Sequence, residues 1–261
     1  LCFMLILLSP AKTVRPLLPS HQELCEELTT PMFLDQAEQL LDGLSSWDLS
    51  TTKKKLALSD NLAQKVHKWH QSWSRTGGHA AGWTFQGDAF KTLDLDSFTV
   101  PQALRAQKHL RILNGAYGIL RPLDKYCPVR LEMGQSWCPV SSFNNMAQFW
   151  RPKLAEVIHR EAQDLHENCI LNLASAEYAN VALHGLSTPD IVTCVFFEKN
   201  NGALKSVSAF AKAARGAMAR FVLTRGITTI EELRKFAELG YQYSEIESSP
   251  NKKVFIRTSR P

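Results

Sequence analysis

Long apolar runs are absent from this chain. The longest, LCFMLILL at residues 1–8, is too short to cross a bilayer, and no basic segment precedes it as in a secretion signal. It reads as a buried first strand, with Met4 as the initiator, residues 1–3 as an upstream extension and a single domain over 4–258. Paired cysteines are missing too. The six cysteines form no CxxC and stand at irregular spacing, which argues against a disulfide framework or a zinc knuckle and for reduced thiols in the cytoplasm. Cys127, between Lys125 and Arg130, is a mild candidate for a redox thiolate, but inert packing is the stronger reading. Metal-ligand sets are thin. Glu156-x-x-His159 occurs once where a carboxylate-bridged site needs two such pairs, and His67 and His70 share a helix face without a third ligand. Neither metal nor cofactor is expected. No repeat, low-complexity linker or long charge block divides the chain.

What is present is ordinary for a globular protein. The 261 residues suffice for a large core, and the net charge of +5 permits a polyanionic partner without demanding one. Helices are expected from His21, from Pro31 to Gly43 behind a Thr30 cap, from Asp60 to Trp73, from Pro101, and from Pro152 to Leu165. CILNLA (169–174) and IVTCVFF (191–197) read as buried strands, and Asn201-Gly202 as a hairpin turn. Thr228 and Glu231 suggest a capping box on a helix that stops at Gly240, and YQYSEIE with KVFIR suggests a terminal hairpin. The fold class that follows is mixed α/β (α+β), one domain with a central mixed sheet and surrounding helices.

Two stretches carry more than structure requires. HLRILNGAYGILRPLD (109–124) frames Gly115 and Gly118 with Arg111 and Arg121, and places Tyr117 between the glycines. Bare backbone amides beside guanidinium forks suit a phosphate. A helix, a glycine turn and a second segment loosely match a helix-hairpin-helix, although that motif has its glycines two apart, not three, and Pro122 biases Arg121 away from helix. By spacing alone an ordinary loop leads. In FAKAARGAMARF, Phe210, Ala214, Ala217 and Phe221 share one side of a helix, while Lys212, Arg215 and Arg220 lie opposite with only Gly216 and Ala219 between them. Gly216 costs about 1 kcal/mol against alanine inside a helix, so a ligand or a second backbone is expected to come close there.

Further polar clusters offer chemistry. RLEMG (130–134) alternates as a strand with a wet face, where Arg130 and Glu132 reach across a cleft or only pair with each other. NLASAEY (172–178) ends a buried strand and starts a helix capped by Ser175, leaving Asn172, Glu177 and Tyr178 where α/β sites often lie. Lys12 follows the first strand, a position from which a lysine meets phosphate or acts as a nucleophile.

Taken in order, LILLSPAKT, FQGDAF, HLRILNGAYGILRPLD, RLEMG, FW (149–150), NLASAEY, AKAARG, GY (240–241) and FIR (255–257) resemble the YaaA family of peroxide stress-response proteins across nearly the whole chain. The resemblance implies a cytosolic protein tied to hydrogen peroxide resistance, low free intracellular iron and DNA repair. It also implies a positively charged cleft, a helix-hairpin-helix element and binding of double-stranded or branched DNA. The phosphate-binding residues carried over or read from the chain are Arg111, Gly115, Tyr117, Gly118, Arg121, Arg130, Lys212, Arg215 and Gly216. Lys12, Asp88, Glu132, Asn172 and Glu177 are the candidates should the same cleft belong to a DNA lyase, glycosylase or nuclease. The chain departs from the family at Asn114 (usually serine), at Ala213 (usually a second lysine) and at Val14-Arg15 (usually Leu-Asp). Loss of that lysine removes one phosphate contact.

Overall fold

The structure, a computed structural model, describes residues 4–15, 17–165, 169–187 and 190–258; the proposed extension at 1–3 lies outside them. The strands are β1 (Met4–Leu8), β2 (His79–Ala80), β3 (Leu110–Asn114), β4 (Gly118–Leu120), β5 (Lys125–Tyr126), β6 (Cys169–Leu173), β7 (Asp190–Asn200), β8 (Ala203–Lys205), β9 (Gln242–Ser249) and β10 (Lys252–Arg257). The helices are α1 (Gln22–Glu26), α2 (Leu34–Ser45), α3 (Leu49–Leu56), α4 (Asp60–Gln71), α5 (Ala81–Thr84), α6 (Asp88–Leu93), α7 (Val100–His109), α8 (Met146–Gln163), α9 (Ala176–Ala182) and α10 (Ser208–Arg225).

One sheet organises the chain, in the order β4-β3-β1-β6-β7-β10-β9, with β8 pairing β7. The five strands from β3 to β10 along this order are mutually parallel, and β4, β8 and β9 are antiparallel additions. The apolar opening run becomes β1, whose residues are all at most 1% exposed because helices α7, α8 and α10 contact it. From β1 the chain turns toward β3, whereas from β6 it turns toward β7. Adjacent parallel strands whose connections leave in opposite directions open a crevice at their carboxyl ends. That crevice lies just past Leu8 and Leu173.

The terminal hairpin and the Asn201-Gly202 hairpin form as expected, with Asn201 and Gly202 both at positive φ. The second helix starts later than expected: α2 begins at Leu34 behind Phe33, so Thr30 does not cap it. Four further local expectations need correction. Asn145 caps α8 by accepting from the Gln148 amide at 2.9 Å, so this helix begins before Pro152 and carries the proline inside. Residues 130–134 form no strand, and Arg130 and Glu132 pair with each other. The Thr228 segment is a short 3-10 turn over Glu231–Lys235, with Glu232, not Glu231, accepting from the Thr228 amide at 3.0 Å.

The fourth correction concerns the glycine turn. Residues 100–120 fold as helix α7, strand β3, a tight turn and strand β4, so no helix-hairpin-helix forms there. Leu110 and Leu113, which continue the apolar spacing of Ala103 and Ala106 in the preceding helix, belong to β3, which pairs in parallel with β1. The Asn114 carboxamide accepts from the Ala116 and Tyr117 amides at 2.9 and 3.0 Å and so closes the turn. Two helices joined by three residues do occur elsewhere, at α3 and α4, where Ala57 adopts a left-handed conformation.

Candidate functional site

A cavity of about 400 Å³ occupies the crevice beyond β1 and β6. Residues 8–14 line it together with Leu173, Ser175, Glu177 and Tyr178, α6 and α10 contribute Asp88, Lys91, Lys212 and Arg215, and the turn region contributes Val129 to Glu132. Trp69 on α4 also lines it. The two strand ends are tied together there. Ser9 Oγ accepts from the Ser175 amide at 2.8 Å and donates to Ser175 Oγ at 3.2 Å. Ser175 stands at the N-cap of α9 as its position suggested, but its hydroxyl makes no cap bond because Ser9 holds it.

Glu132 is the electrostatic centre. Arg130 donates to it at 2.6 Å, Gln135 at 3.2 Å, and the Lys12 ammonium lies 3.4 Å away. Burial works to raise this carboxyl, but Arg130 foremost and Lys12 after it hold it below the usual carboxylate range. Glu132 is therefore ionised at neutral pH and unsuited to act as a general acid. Glu177 accepts from the Gly134 amide at 3.2 Å. Tyr178 is raised by burial and then by the Glu177 and Glu132 charges, and burial pushes Tyr126 up to about 12; both keep their protons.

Arg215 stands apart. Its Nε is buried without an acceptor, and among the described residues its guanidinium makes no hydrogen bond or ion pair. Burial lowers its affinity for its proton only partly offset by neighbouring groups, and the guanidinium stays charged. Lys212, one turn earlier, is exposed at the cavity rim. Gly216 answers to a second backbone rather than a ligand. A Cβ there would overlap the Ala89 carbonyl oxygen, and Thr92 seals the contact by donating to the Ala213 carbonyl at 2.7 Å. Arg220 is occupied by the Leu93 and Asp94 carbonyls and the Ser97 hydroxyl.

The cavity thus gathers Lys12, Asp88, Arg130, Glu132, Glu177, Lys212 and Arg215 from segments far apart in sequence. It does not gather Arg111, Gly115, Tyr117, Gly118, Arg121 or Gly216. Arg111 is buried and forms a two-bond pair with Glu161 at 2.8 and 3.2 Å. Arg121 is held by Asp124 and the Thr30 carbonyl. A Cβ at Gly115 would overlap the Leu131 carbonyl oxygen, and at Gly118, where φ is +67°, the Trp150 ring closes the space. The Tyr117 hydroxyl accepts from Trp73 Nε1 at 2.7 Å. Asn172 lies beneath the cavity and bonds the Ala174 amide and the Thr193 hydroxyl.

Sequence reasoning missed Trp69 and the exposed lysines of the α3–α4 pair, namely Lys53, Lys54, Lys55, Lys65 and Lys68. The signal was the triplet KKK followed by a Ser-Asp helix start. Among the described residues no three His, Cys, Asp or Glu side chains group as metal ligands, and no helix is long and apolar enough to cross a membrane.

These features define an α/β protein with a cation-rich cavity at a topological switch point. Residues 4–247 match the family model described as peroxide stress protein YaaA, and the chain belongs to that family. It is 37% identical over 268 residues to a UPF0246 protein of Shewanella sp. (strain MR-4), covering 98% of this chain and 100% of the relative. A UPF0246 protein of Ruegeria sp. (strain TM1040) is 38% identical over 255 residues, with 97% and 100% covered. One from Shewanella pealeana is 37% identical over 262 residues, with 97% and 99% covered.

Proposed function

We propose that this protein serves the peroxide stress response by holding DNA through its sugar–phosphate backbone without reading sequence. The observation that carries this reading is Arg215, a partly buried cation with no carboxylate partner among the described residues, beside the exposed Lys212 at the cavity rim. A phosphate in the cavity meets this uncompensated charge. The lysines of α3 and α4 extend the basic surface past Trp69. With about four phosphates neutralised, log affinity falls with log salt at a slope near −3.6. Fluorescence anisotropy of a labelled duplex across a salt series tests this. The Lys212→Ala, Arg215→Ala double variant is expected to lower the slope by about 1.8, two contacts' worth. Measurable affinity with a slope near zero would sink the electrostatic reading. The link to low free iron is taken as indirect; iron retained in stoichiometric amount after dialysis would overturn that.

A second reading keeps the cavity and adds chemistry to it. It is favoured by the convergence of Lys12, Asp88, Glu132 and Glu177 on one space, more carboxylate than backbone binding needs. Its lyase form requires Lys12 to attack an abasic sugar. Lys12 is exposed and sits beside a carboxylate, not in the desolvated or cationic setting that activates an amine. Borohydride trapping on abasic DNA decides this form: an adduct lost in Lys12→Ala supports it, and no adduct removes it.

A further inference from the structure

Backbone binding uses cations at the cavity rim and leaves the rest of the space unexplained. A space of about 400 Å³ is generous for one phosphate and far too small for a duplex. Its lining is also mixed. The cations Lys12, Lys91, Arg130, Lys212 and Arg215 outnumber the carboxylates Asp88, Glu132 and Glu177, and an aromatic side chain, Trp69, is contributed by α4. The cations suit a phosphate and the carboxylates leave acceptors that a phosphate cannot use, so the fitting occupant carries hydrogen-bond donors as well as negative charge. A single nucleotide has both, in its base edge and its phosphate.

We propose that the cavity takes one unpaired nucleotide swung out of the DNA, with its phosphate at Arg215 and its base against Trp69. The proposal rests on the DNA-binding reading above. Arg215 lines the cavity, and among the described residues its guanidinium has no hydrogen-bond acceptor. Trp69 is only half-buried, and the ammonium of exposed Lys65 lies 5.0 Å from its ring centroid. A cation resting on a ring from an exposed side chain is weakly held, and base–aromatic stacking exceeds it. The displaced Lys65 becomes available to the neighbouring phosphate. The carboxylates accept from exocyclic amino groups of the base and discourage a second phosphate from entering. Extracting a base is least costly where it is mismatched, damaged or already unpaired. The cavity therefore selects DNA whose bases have left the stack.

The test compares a fully paired labelled duplex with the same duplex bearing one bulged adenine, by anisotropy at fixed salt. Wild-type protein is expected to bind the bulged DNA roughly tenfold more tightly, within the range that stacking one base supports. In Trp69→Ala the ratio of the two affinities falls to about one, and Trp69→Phe restores most of it. Trp69 also packs against Leu56, Leu58, Ala63 and Val66, so Arg215→Gln provides a route that leaves that packing alone and is expected to lower the ratio as well. Equal affinity for both DNAs, with salt-dependent binding intact, overturns the nucleotide site and leaves the backbone reading standing. A preference that survives all three variants places the unpaired base elsewhere and overturns it too. No binding of either DNA at low salt ends both readings.

Discussion

Arg111 and Arg215 occupy two regions that look alike in sequence, each an arginine near small residues in a basic stretch. In the folded chain they are opposites. Arg111 is buried and fully engaged by Glu161 and the backbone carbonyls of Gln107 and Leu110. Arg215 lines a cavity and has no acceptor among the described residues. The glycines do not share the contrast. Gly115 and Gly118 press against Leu131 and Trp150, and Gly216 presses against the Ala89 carbonyl. Glycine marks close packing in both regions, and only the partner of each guanidinium tells them apart.

The contrast can be broken first at Gly115. Gly115→Ala forces a Cβ into the Leu131 carbonyl, and we expect a loss of about 3 kcal/mol or more, or failure to fold, read by urea denaturation. A mild effect would show that the turn has slack and reopen it as a ligand contact. The two arginines come next. Arg111→Leu leaves Glu161 charged and largely enclosed and is expected to cost about 3–5 kcal/mol. Arg215→Leu removes a cation with an unsatisfied Nε, and its stability should change by less than about 1 kcal/mol, in either direction. Similar losses in both would erase the distinction.

The smaller effect is a titration of the interior. Burial, ahead of neighbouring positive charge, pulls the pKa of His70 and of His109 down from 6.5 to about 4. Between those values the unfolded chain binds protons that the folded chain refuses, so stability falls as pH drops from 6.5 toward 4 and levels off below. The loss is at most about 3 kcal/mol per histidine. Urea unfolding at pH 7.5 and at pH 4.5 reads it; a flat profile would contradict the burial of these rings. Arg215→Leu should leave this slope unchanged, since it touches only the cavity.

Much of the scaffold was legible because periodicity and turn chemistry are local. The run ending in β1, the buried strands β6 and β7, the Asn201-Gly202 hairpin and the terminal hairpin all follow from a few neighbouring residues. The helix from Pro101 was legible to His109 and then misread. Leu110 to Asn114 is buried throughout, and a short apolar run seen from outside fits helix and strand equally well. Gly216 was flagged as a close approach, but only the fold says that the visitor is α6. The cavity was half-legible. Lys12, Glu132, Glu177 and Lys212 were named, yet nothing in their spacing says that they meet, because sheet order brings residues 12, 132, 177 and 212 together. Trp69 carried no local signal at all.

The contact of Gly216 with Ala89 has a historical consequence. The visitor is a carbonyl, which every residue carries, and Thr92 seals the contact. Descendants of this chain are expected to keep glycine at 216 whatever stands at 89, while residue 212, one turn away on the same helix, is free to follow whatever the cavity comes to hold.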